Sequence, residues 1–297
     1  MQHTTVLLRE AVDGLELSPS DTVFDATFGS GGHAREIIKD LDETGCYIGV
    51  DADKTAFDQD KLGEVVPTVH LLHRNFSEIT SVLETLNIEQ VDAILADLGW
   101  RMEQFADGDK GFSFMHDGPL HMTFGDPKDY SFTAEDIVND WEEHVIADVL
   151  FGYAEERYSR RIAKAIVEAR KQKRITTTSQ LALIIDLAMP KAVRRVKRFK
   201  INPATKSFQA LRIAVNDELK VLETFLKDAF MALKPGGKLA VISFHSIEDR
   251  IVKHSFRELK DADLATVETK KPITPSEEEL KANPRARSAK LRIITKL

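Results

Sequence analysis

The sequence is poor in residues that cross-link a chain or anchor it in a membrane. Its only cysteine, Cys46, excludes an internal disulfide and any CxxC metal or redox motif, and we expect a small, buried strand residue there. No apolar run approaches the roughly 18 to 20 residues of a membrane-spanning helix. The first residues also lack the basic, apolar and small-residue order of a secretory signal. These absences predict a cytoplasmic protein without a membrane partner.

Glycine and proline are also scarce, with 15 and 10 in 297 residues. Hydrophobic residues make up 42% and charged residues 30% of the chain. This composition is typical of a globular protein and excludes disordered, collagen-like and repeat chains. The length exceeds a usual domain of roughly 100 to 200 residues, so we expect one large domain with an insertion, or two domains.

Positive charge is scarce except in one block. The net charge is -7, yet residues 157–206 carry 15 Lys or Arg against 2 acidic residues, whereas residues 1–156 carry 9 against 33. Such a localised positive field attracts polyanions by counterion release. The predicted phosphate contacts are a run of cations with interleaved apolar residues: Arg194, Arg195, Lys197, Arg198 and Lys200. The alternative is a solvated helix face that balances the acidic half.

Short β-type runs alternate with helical stretches in the first third of the chain. The predicted strands are residues 22–28, 46–51, 70–76 and 91–98, and helices are predicted at 33–41 and 78–86. Strands that alternate with helices are typical of a parallel sheet covered on both faces. We therefore predict an α/β, doubly wound, Rossmann-like fold.

A helical region interrupts this alternation. Helical spacing covers residues 133–150, 154–173 and 177–189, and a long helix is predicted at 207–233 before the turn signal at 234–237. Strands are predicted again at 238–244 and 290–295, and the charged residues 277–279 are interpreted as a loop. We predict a sheet domain formed by residues 1–101 and 207–297, with a helical insert at 102–206.

A glycine-rich loop follows the first predicted strand. Gly29, Gly31 and Gly32 allow a tight turn and close approach of a ligand, although a plain tight turn is the alternative. Asp51 ends the next strand, where a carboxylate can bind ribose hydroxyls of a dinucleotide or an adenosyl cofactor. Because the loop is not GxGxxG and Asp25 would repel a pyrophosphate, charge favours S-adenosylmethionine, with Asp25 near its cationic end.

Asp97 ends the fourth predicted strand, on the edge of the sheet where ligands bind in such folds. A cap for the following turn is the alternative role. The nine histidines show no HxxxH or HExxH spacing, so no metal site is predicted.

With these residues the chain resembles the bacterial small-subunit ribosomal RNA cytosine-N4 methyltransferase family. The resemblance runs nearly end to end. Its motifs lie at residues 3–8, 25–33, 91–99, 110–119, 153–163, 202–216, 235–253 and 285–292. It implies a class I S-adenosylmethionine methyltransferase fold, an insert that recognises RNA, and transfer of methyl to the exocyclic amine of a cytidine.

The resemblance also implies site residues. The family's cofactor contacts fall on seven positions of this sequence: Gly31, Gly32, His33, Asp51, Phe76, Asp97 and Gln104. Phe76 is suited to lie against an adenine ring or to pack in the core. The chain departs from the family pattern at residues 100–102 (Trp-Arg-Met) and 121–125 (His-Met-Thr-Phe-Gly). These departures put the acceptor base and full activity in doubt more than cofactor binding.

A mechanism follows from the weak nucleophilicity of a cytidine amine. Acceptors around Asp97 and Leu98 would hold the amine in line with the methyl group, so that positioning supplies most of the acceleration. His245 is a candidate to accept a proton or bind phosphate, or a structural histidine. The flipped base needs a stacking face, for which Trp100, Phe112 and Phe114 are candidates if they are not core residues.

Three classes of function stay open on the sequence. The first is the rRNA methyltransferase, acting on free small-subunit (16S) rRNA or on an assembled small ribosomal subunit, as a monomer or homodimer. The second is an RNA-binding ribosome assembly factor whose catalysis is altered or lost through residues 100–102. The third is a DNA or small-molecule amino-methyltransferase: the absent [DS]PP[YFW] element disfavours DNA, and the basic block disfavours a small metabolite.

Overall fold

The computed structural model describes residues 5–53, 56–57, 62, 65–98, 110–190 and 202–297. The chain forms two compact units, one of residues 1–100 with 219–297 and the other of residues 101–218. We call them the sheet unit and the insert. The C-terminal boundary of the insert lies after Glu218 and not at residue 206. The helix Ala204–Asn216 spans residue 206 and buries its apolar side chains in the core of the insert.

The sheet unit contains a seven-stranded sheet. In chain order its strands are β1 Thr22–Asp25, β2 Cys46–Asp51, β3 Thr68–His73, β4 Val91–Asp97, β5 Leu233–Ser243, β6 Ala265–Val267 and β7 Lys290–Lys296. Their order across the sheet is β3-β2-β1-β4-β5-β7-β6. The first five are parallel, whereas β7 pairs antiparallel with both β5 and β6. The predicted α/β sheet is confirmed, with an antiparallel final strand.

Both faces of the sheet are covered because side chains alternate along each strand. In β4, Ile94 and Ala96 point into one apolar cluster, and Ala93 and Leu95 into the other. The helices of this unit are α1 Leu8–Leu15, α2 Gly32–Asp40, α3 Ile79–Leu86, α9 Glu218–Ala232, α10 Ser246–Asp261 and α11 Glu277–Ala282. The sheet is therefore doubly wound, as the sequence predicts.

The insert is helical in its described part. Its helices are α4 Ala134–Asp140, α5 Glu143–Ala154, α6 Ser159–Arg170, α7 Thr178–Ala188 and α8 Ala204–Asn216. They share one apolar core that includes Ile146, Ile162, Leu181 and Leu211, each fully buried. Independent cores explain why two units form.

Three elements differ from the sequence predictions. The helix predicted at 207–233 is two helices, because Asp217 adopts a left-handed φ of 49° between α8 and α9. The turn predicted at 234–237 is an irregular stretch of β5, with a register shift between Val91 and Ala93 of the neighbouring strand. The segment 277–279 is not a loop: it begins α11, whose N-cap Ser276 accepts from the Glu279 N–H at 3.1 Å.

Among the described residues, every helix is too short or too polar to cross a membrane.

Candidate active site

Three glycines join β1 to α2. Gly29 and Gly31 have φ values of 56° and 71°, in the left-handed region that glycine adopts without strain. Gly31 is the N-cap of α2 and gives it no side-chain cap, and the positive end of the helix dipole at this N-terminus favours negatively charged groups. A Cβ on Gly32 would lie 1.7 Å from Oγ1 of Thr5, so the N-terminal segment packs directly on the loop.

Asp51 lies beside this loop at the carboxyl end of β2. Its Oδ2 accepts the Gly29 N–H at 2.8 Å, and its Oδ1 accepts the Asp53 N–H at 2.8 Å. The two backbone donors hold the carboxylate at the edge of the sheet. This is the place from which an acidic residue binds ribose hydroxyls in doubly wound folds.

Asp25 lies behind the loop and is 1% exposed. Its Oδ2 accepts from the Tyr47 hydroxyl at 2.6 Å, and its Oδ1 accepts from the Thr27 N–H at 3.0 Å. Burial raises the pKa of Asp25 to about 6, although these hydrogen bonds oppose the rise. The observed contacts give Asp25 a role in supporting the loop. Its direct contact with a cofactor stays a prediction.

Asp97 and His33 come together at the same edge. Oδ2 of Asp97 lies 3.8 Å from Nδ1 of His33, and the histidine is 5% exposed. The Asp97 N–H donates to Oγ1 of Thr27 at 2.6 Å, and the Leu98 N–H donates to the Ile242 carbonyl at 2.9 Å. The main chain of these two predicted catalytic positions is therefore held by β1 on one side and β5 on the other.

Phe76 begins a short 3-10 helix, Phe76–Glu78, three residues after β3 ends. Its ring meets that of Phe225 edge-on, with the ring centres 5.1 Å apart, and is half-buried against one face of the sheet. The ring is thus part of the core packing, and its contact with an adenine stays a prediction.

His245 is the N-cap of α10. Its Nδ1 accepts from the Glu248 N–H at 3.3 Å, and Oε2 of Glu248 accepts from the His245 N–H at 3.2 Å, which is a reciprocal capping box. These contacts match the structural alternative for this histidine. Its catalytic role stays a prediction.

Two of the candidate stacking aromatics pack inside the insert. Phe112 stacks on Phe124 with the ring centres 5.5 Å apart, and Phe114 meets Phe208 edge-on at 5.1 Å. Thr123, one of the departures from the family pattern, is buried and donates to the Gly125 carbonyl at 3.0 Å. The other predicted site residues lie outside the described residues: Trp100, Arg101, Met102, Gln104, Arg194, Arg195, Lys197, Arg198 and Lys200.

Sequence reasoning missed two residues that touch the predicted site residues, Thr27 and Tyr47. Both act across strands, so only the fold brings them to their partners. A second missed cluster joins Asp249 to Arg292 at 2.7 Å and to Lys290 at 2.9 Å. Burial opposes ionisation of Asp249, but the hydrogen bonds from Arg292 and Lys290 outweigh it and lower its pKa. This cluster assigns Lys290 and Arg292 of the basic motif near the C-terminus to an internal ion-pair network.

The strand order β3-β2-β1-β4-β5-β7-β6, with an antiparallel β7, is that of class I S-adenosylmethionine methyltransferases. The glycine loop after β1 and the acidic residues at the ends of β2 and β4 lie where that fold binds its ligand. The predicted fold class is confirmed.

The chain belongs to the MraW methylase family, whose model matches residues 1–297. It is 40% identical to the ribosomal RNA small subunit methyltransferase H of Clostridioides difficile strain 630, over 99% of both chains. It is 43% identical to the protein of the same name from Symbiobacterium thermophilum, over 99% of this chain and 96% of that one. A solved rRNA methylase from Streptococcus thermophilus aligns with a TM-score of 0.45 at 10% identity, over 100% and 99% of the two chains. The family expected from the motifs is confirmed.

Proposed function

We propose that this protein transfers a methyl group from S-adenosylmethionine to the N4 amine of a cytidine in small-subunit (16S) rRNA. The observation that carries the proposal is the meeting of the glycine loop, Asp51 and the Asp97–His33 pair at one edge of the sheet. Its support is the family membership of the whole chain, whose relatives are named for methylation of small-subunit rRNA.

The residues at this edge fit the cofactor chemically. Asp51 would bind the ribose hydroxyls, and the N-terminus of α2 with its glycine loop would receive the carboxylate of the methionyl group. Asp97 and the more deeply buried Asp25 supply negative charge for the ammonium and sulfonium groups. S-adenosylmethionine, when bound, supplies an electrophilic methyl group.

Asp97 and the main chain at Leu98 would orient the target amine. Both are fixed by hydrogen bonds to neighbouring strands, so acceptors there need little reorganisation to receive the amine protons. No strong base is needed, because the nitrogen becomes acidic as it gains the methyl group, and the proton can leave to water. Catalysis is then mainly the positioning of a weak nucleophile.

The insert is proposed to recognise RNA. In its described part eight exposed cations belong to the basic block: Arg157, Arg160, Arg161, Lys164, Lys171, Lys173, Arg174 and Lys206. The run from Arg194 to Lys200 would add further phosphate contacts. The substrate is either free rRNA or the assembled small subunit, in the cytoplasm, and a homodimer is compatible with the proposal.

The deciding experiment measures transfer of radiolabelled methyl from S-adenosylmethionine to unmodified small ribosomal subunits, with nucleoside analysis of the product. We expect N4-methylcytidine, and its loss in Asp97→Ala. Asp40→Ala, an exposed carboxylate at the far end of α2, is the matched control and should keep full activity. If the protein binds both RNA and cofactor but transfers no methyl group, the proposal that it is an enzyme is wrong, and the alternative of an RNA-binding assembly factor is favoured.

RNA binding is tested separately by charge reversal. Arg194, Arg195 and Arg198 changed together to Glu should weaken RNA binding at low salt by at least about tenfold and flatten its salt dependence. The control reverses three exposed lysines of the sheet unit, Lys270, Lys271 and Lys281. Equal losses in the two triple variants would mean that net charge, and not the basic run, attracts RNA.

A further inference from the structure

A chain of hydrogen bonds, buried at its Tyr47 end and part-buried at Asp97, crosses three adjacent strands behind the glycine loop. The Tyr47 hydroxyl on β2 donates to Oδ2 of Asp25 at 2.6 Å. Asp25, at the end of β1, accepts the Thr27 N–H through Oδ1 at 3.0 Å. Oγ1 of Thr27 accepts the N–H of Asp97, the last residue of β4, at 2.6 Å. The chain therefore leads from the interior of the sheet to the main chain of the predicted catalytic aspartate.

We propose that Tyr47, Asp25 and Thr27 are positioning residues for Asp97 and the glycine loop, and that they hold this geometry when Asp25 is ionised. The inference rests on the proposed function, because it assigns a pH-dependent control to the same methyl-donor site. None of the three needs to touch the substrate.

The donors around Asp25 favour a carboxylate. Asp25 accepts from the Tyr47 hydroxyl and from the Thr27 N–H, and the nearby Thr27 hydroxyl also opposes the rise of its pKa. When the Thr27 hydroxyl donates its proton to Asp25, its lone pairs remain directed to the Asp97 N–H. A proton on Oδ2 of Asp25 would reverse the hydrogen bond with Tyr47, whose hydroxyl can accept as well as donate, and would remove the negative charge beside Thr27. The orientation of the Thr27 hydroxyl would then be held less firmly.

The surroundings place this change of charge near neutral pH. Burial and, to a smaller extent, the negative charge of Asp51 together raise the pKa of Asp25 to about 6, against the hydrogen bonds from Tyr47 and Thr27. The other charged groups at this edge are Asp97 and His33, 3.8 Å apart. Binding a cationic ligand close by would favour the ionised form. Affinity for such a ligand is therefore expected to fall as the pH falls below about 6.

Tyr47→Phe tests the chain with the smallest change in packing. It removes one donor to the carboxylate and so raises the pKa of Asp25 further. The midpoint of the pH dependence of S-adenosylmethionine affinity, measured by calorimetry between pH 5.5 and 8.5, should move up by about one unit. Near pH 5.5 the variant should then bind roughly eightfold more weakly than wild type, near pH 6.5 roughly threefold more weakly, and at pH 8.5 within about twofold of it. A merely structural tyrosine would lower affinity equally at every pH, and parallel curves would overturn the proposal.

Thr27→Val and Thr27→Ser provide a second test that does not depend on the buried tyrosine. Valine removes the acceptor for the Asp97 N–H, whereas serine keeps a hydroxyl of the same reach. We expect the valine variant to lose at least about tenfold in kcat, with most of the loss restored by serine. Equal activity of both variants would overturn the role of Thr27.

These outcomes are distinct from failure of the proposed function. If wild type neither binds S-adenosylmethionine nor transfers its methyl group, the function is wrong. If wild type does both and neither variant test gives the expected difference, the function stands and the positioning chain is wrong.

Discussion

In the sheet unit, Asp51, Asp97 and His33 lie at the carboxyl edge of the sheet, where we predict ligand binding, whereas the comparable motif residues of the insert bind its own main chain. Asp117 accepts the Ser179 N–H at 3.1 Å, and the Thr178 hydroxyl links Gly118 to His116. The motif around residue 117 thus attaches a loop to the N-terminus of α7. The motif around residue 117 therefore has a structural role, whereas the motif of the glycine loop has a predicted role in binding. Only the fold distinguishes these two roles.

Several cations of the insert also bind groups within the insert itself. Arg161 donates to the Ala188 carbonyl, and Arg170 donates to the Val138 and Trp141 carbonyls. Arg174 pairs with Glu135 and with Asp140. Part of the basic block therefore stabilises the insert itself. The charge that remains for a polyanion is smaller than the count of residues suggests.

The largest effect on cofactor affinity is expected from Gly32→Ala. The new Cβ would overlap Thr5 at 1.7 Å from its Oγ1, so the loop or the N-terminal segment must shift. Overpacking of this kind costs on the order of 2 kcal/mol, which corresponds to about thirtyfold in cofactor affinity. Calorimetric titration with S-adenosylmethionine checks this, and an unchanged affinity would mean that the loop does not bind the cofactor.

A pH-dependent effect on stability is expected from Asp25→Asn. Between the ordinary pKa of 3.8 and the folded value of about 6, the unfolded chain ionises Asp25 while the folded chain does not. Rising pH therefore favours unfolding of wild type in this window, and the full cost is present above pH 6. The free energy of unfolding of wild type relative to the variant should fall by roughly 2 kcal/mol from pH 4 to pH 7.

Chemical denaturation at several pH values measures this difference between wild type and Asp25→Asn. Asp40→Asn, an exposed carboxylate in the same unit, is the control and should show a flat difference. A flat difference for Asp25→Asn as well would show that burial does not perturb this carboxyl group.

A smaller effect, confined to the insert, is expected from Thr178→Val. The side chain is fully buried, and its hydroxyl accepts the Gly118 N–H and donates to the His116 carbonyl, both at 3.1 Å. Valine keeps the shape but leaves both partners unsatisfied, which costs roughly 1 to 3 kcal/mol of stability. Cofactor affinity should not change. A loss of affinity without a loss of stability would contradict the structural role of this motif.

The sequence predicts the sheet well because strands carry local signals. Residues 46–51 form β2 as predicted, and β4 ends one residue before the predicted end. The break between α8 and α9 was not predictable in this way, since Asp217 provides neither a glycine nor a proline to mark it. Helical periodicity on both sides hides a single left-handed residue.

The candidate site was predictable only in part, for a related reason. Glycines and carboxylates at strand ends follow from topology, so Asp51 and Asp97 were found from their positions. The partners Tyr47 and Thr27 lie 22 and 70 residues away along the chain from the groups they contact, Asp25 and Asp97 respectively. Hydrogen bonds at such separations leave no local pattern, so the fold is needed to see them.

The smallest expected effect comes from a second glycine-to-alanine substitution, which should stabilise the protein, whereas Gly32→Ala should do damage. Gly152 lies in α5 with an exposed backbone, and a Cβ added there would meet no atom within 4 Å. Gly152→Ala should raise the free energy of unfolding by up to about 1 kcal/mol, because alanine loses less conformational entropy in a helix. Its effect on S-adenosylmethionine affinity should be absent, so the same substitution damages the ligand loop of one unit and stabilises a helix of the other. Destabilisation by Gly152→Ala would contradict the open surroundings of this position and point to a contact from outside the chain. Denaturation at two protein concentrations would then show whether a second copy of the chain makes that contact.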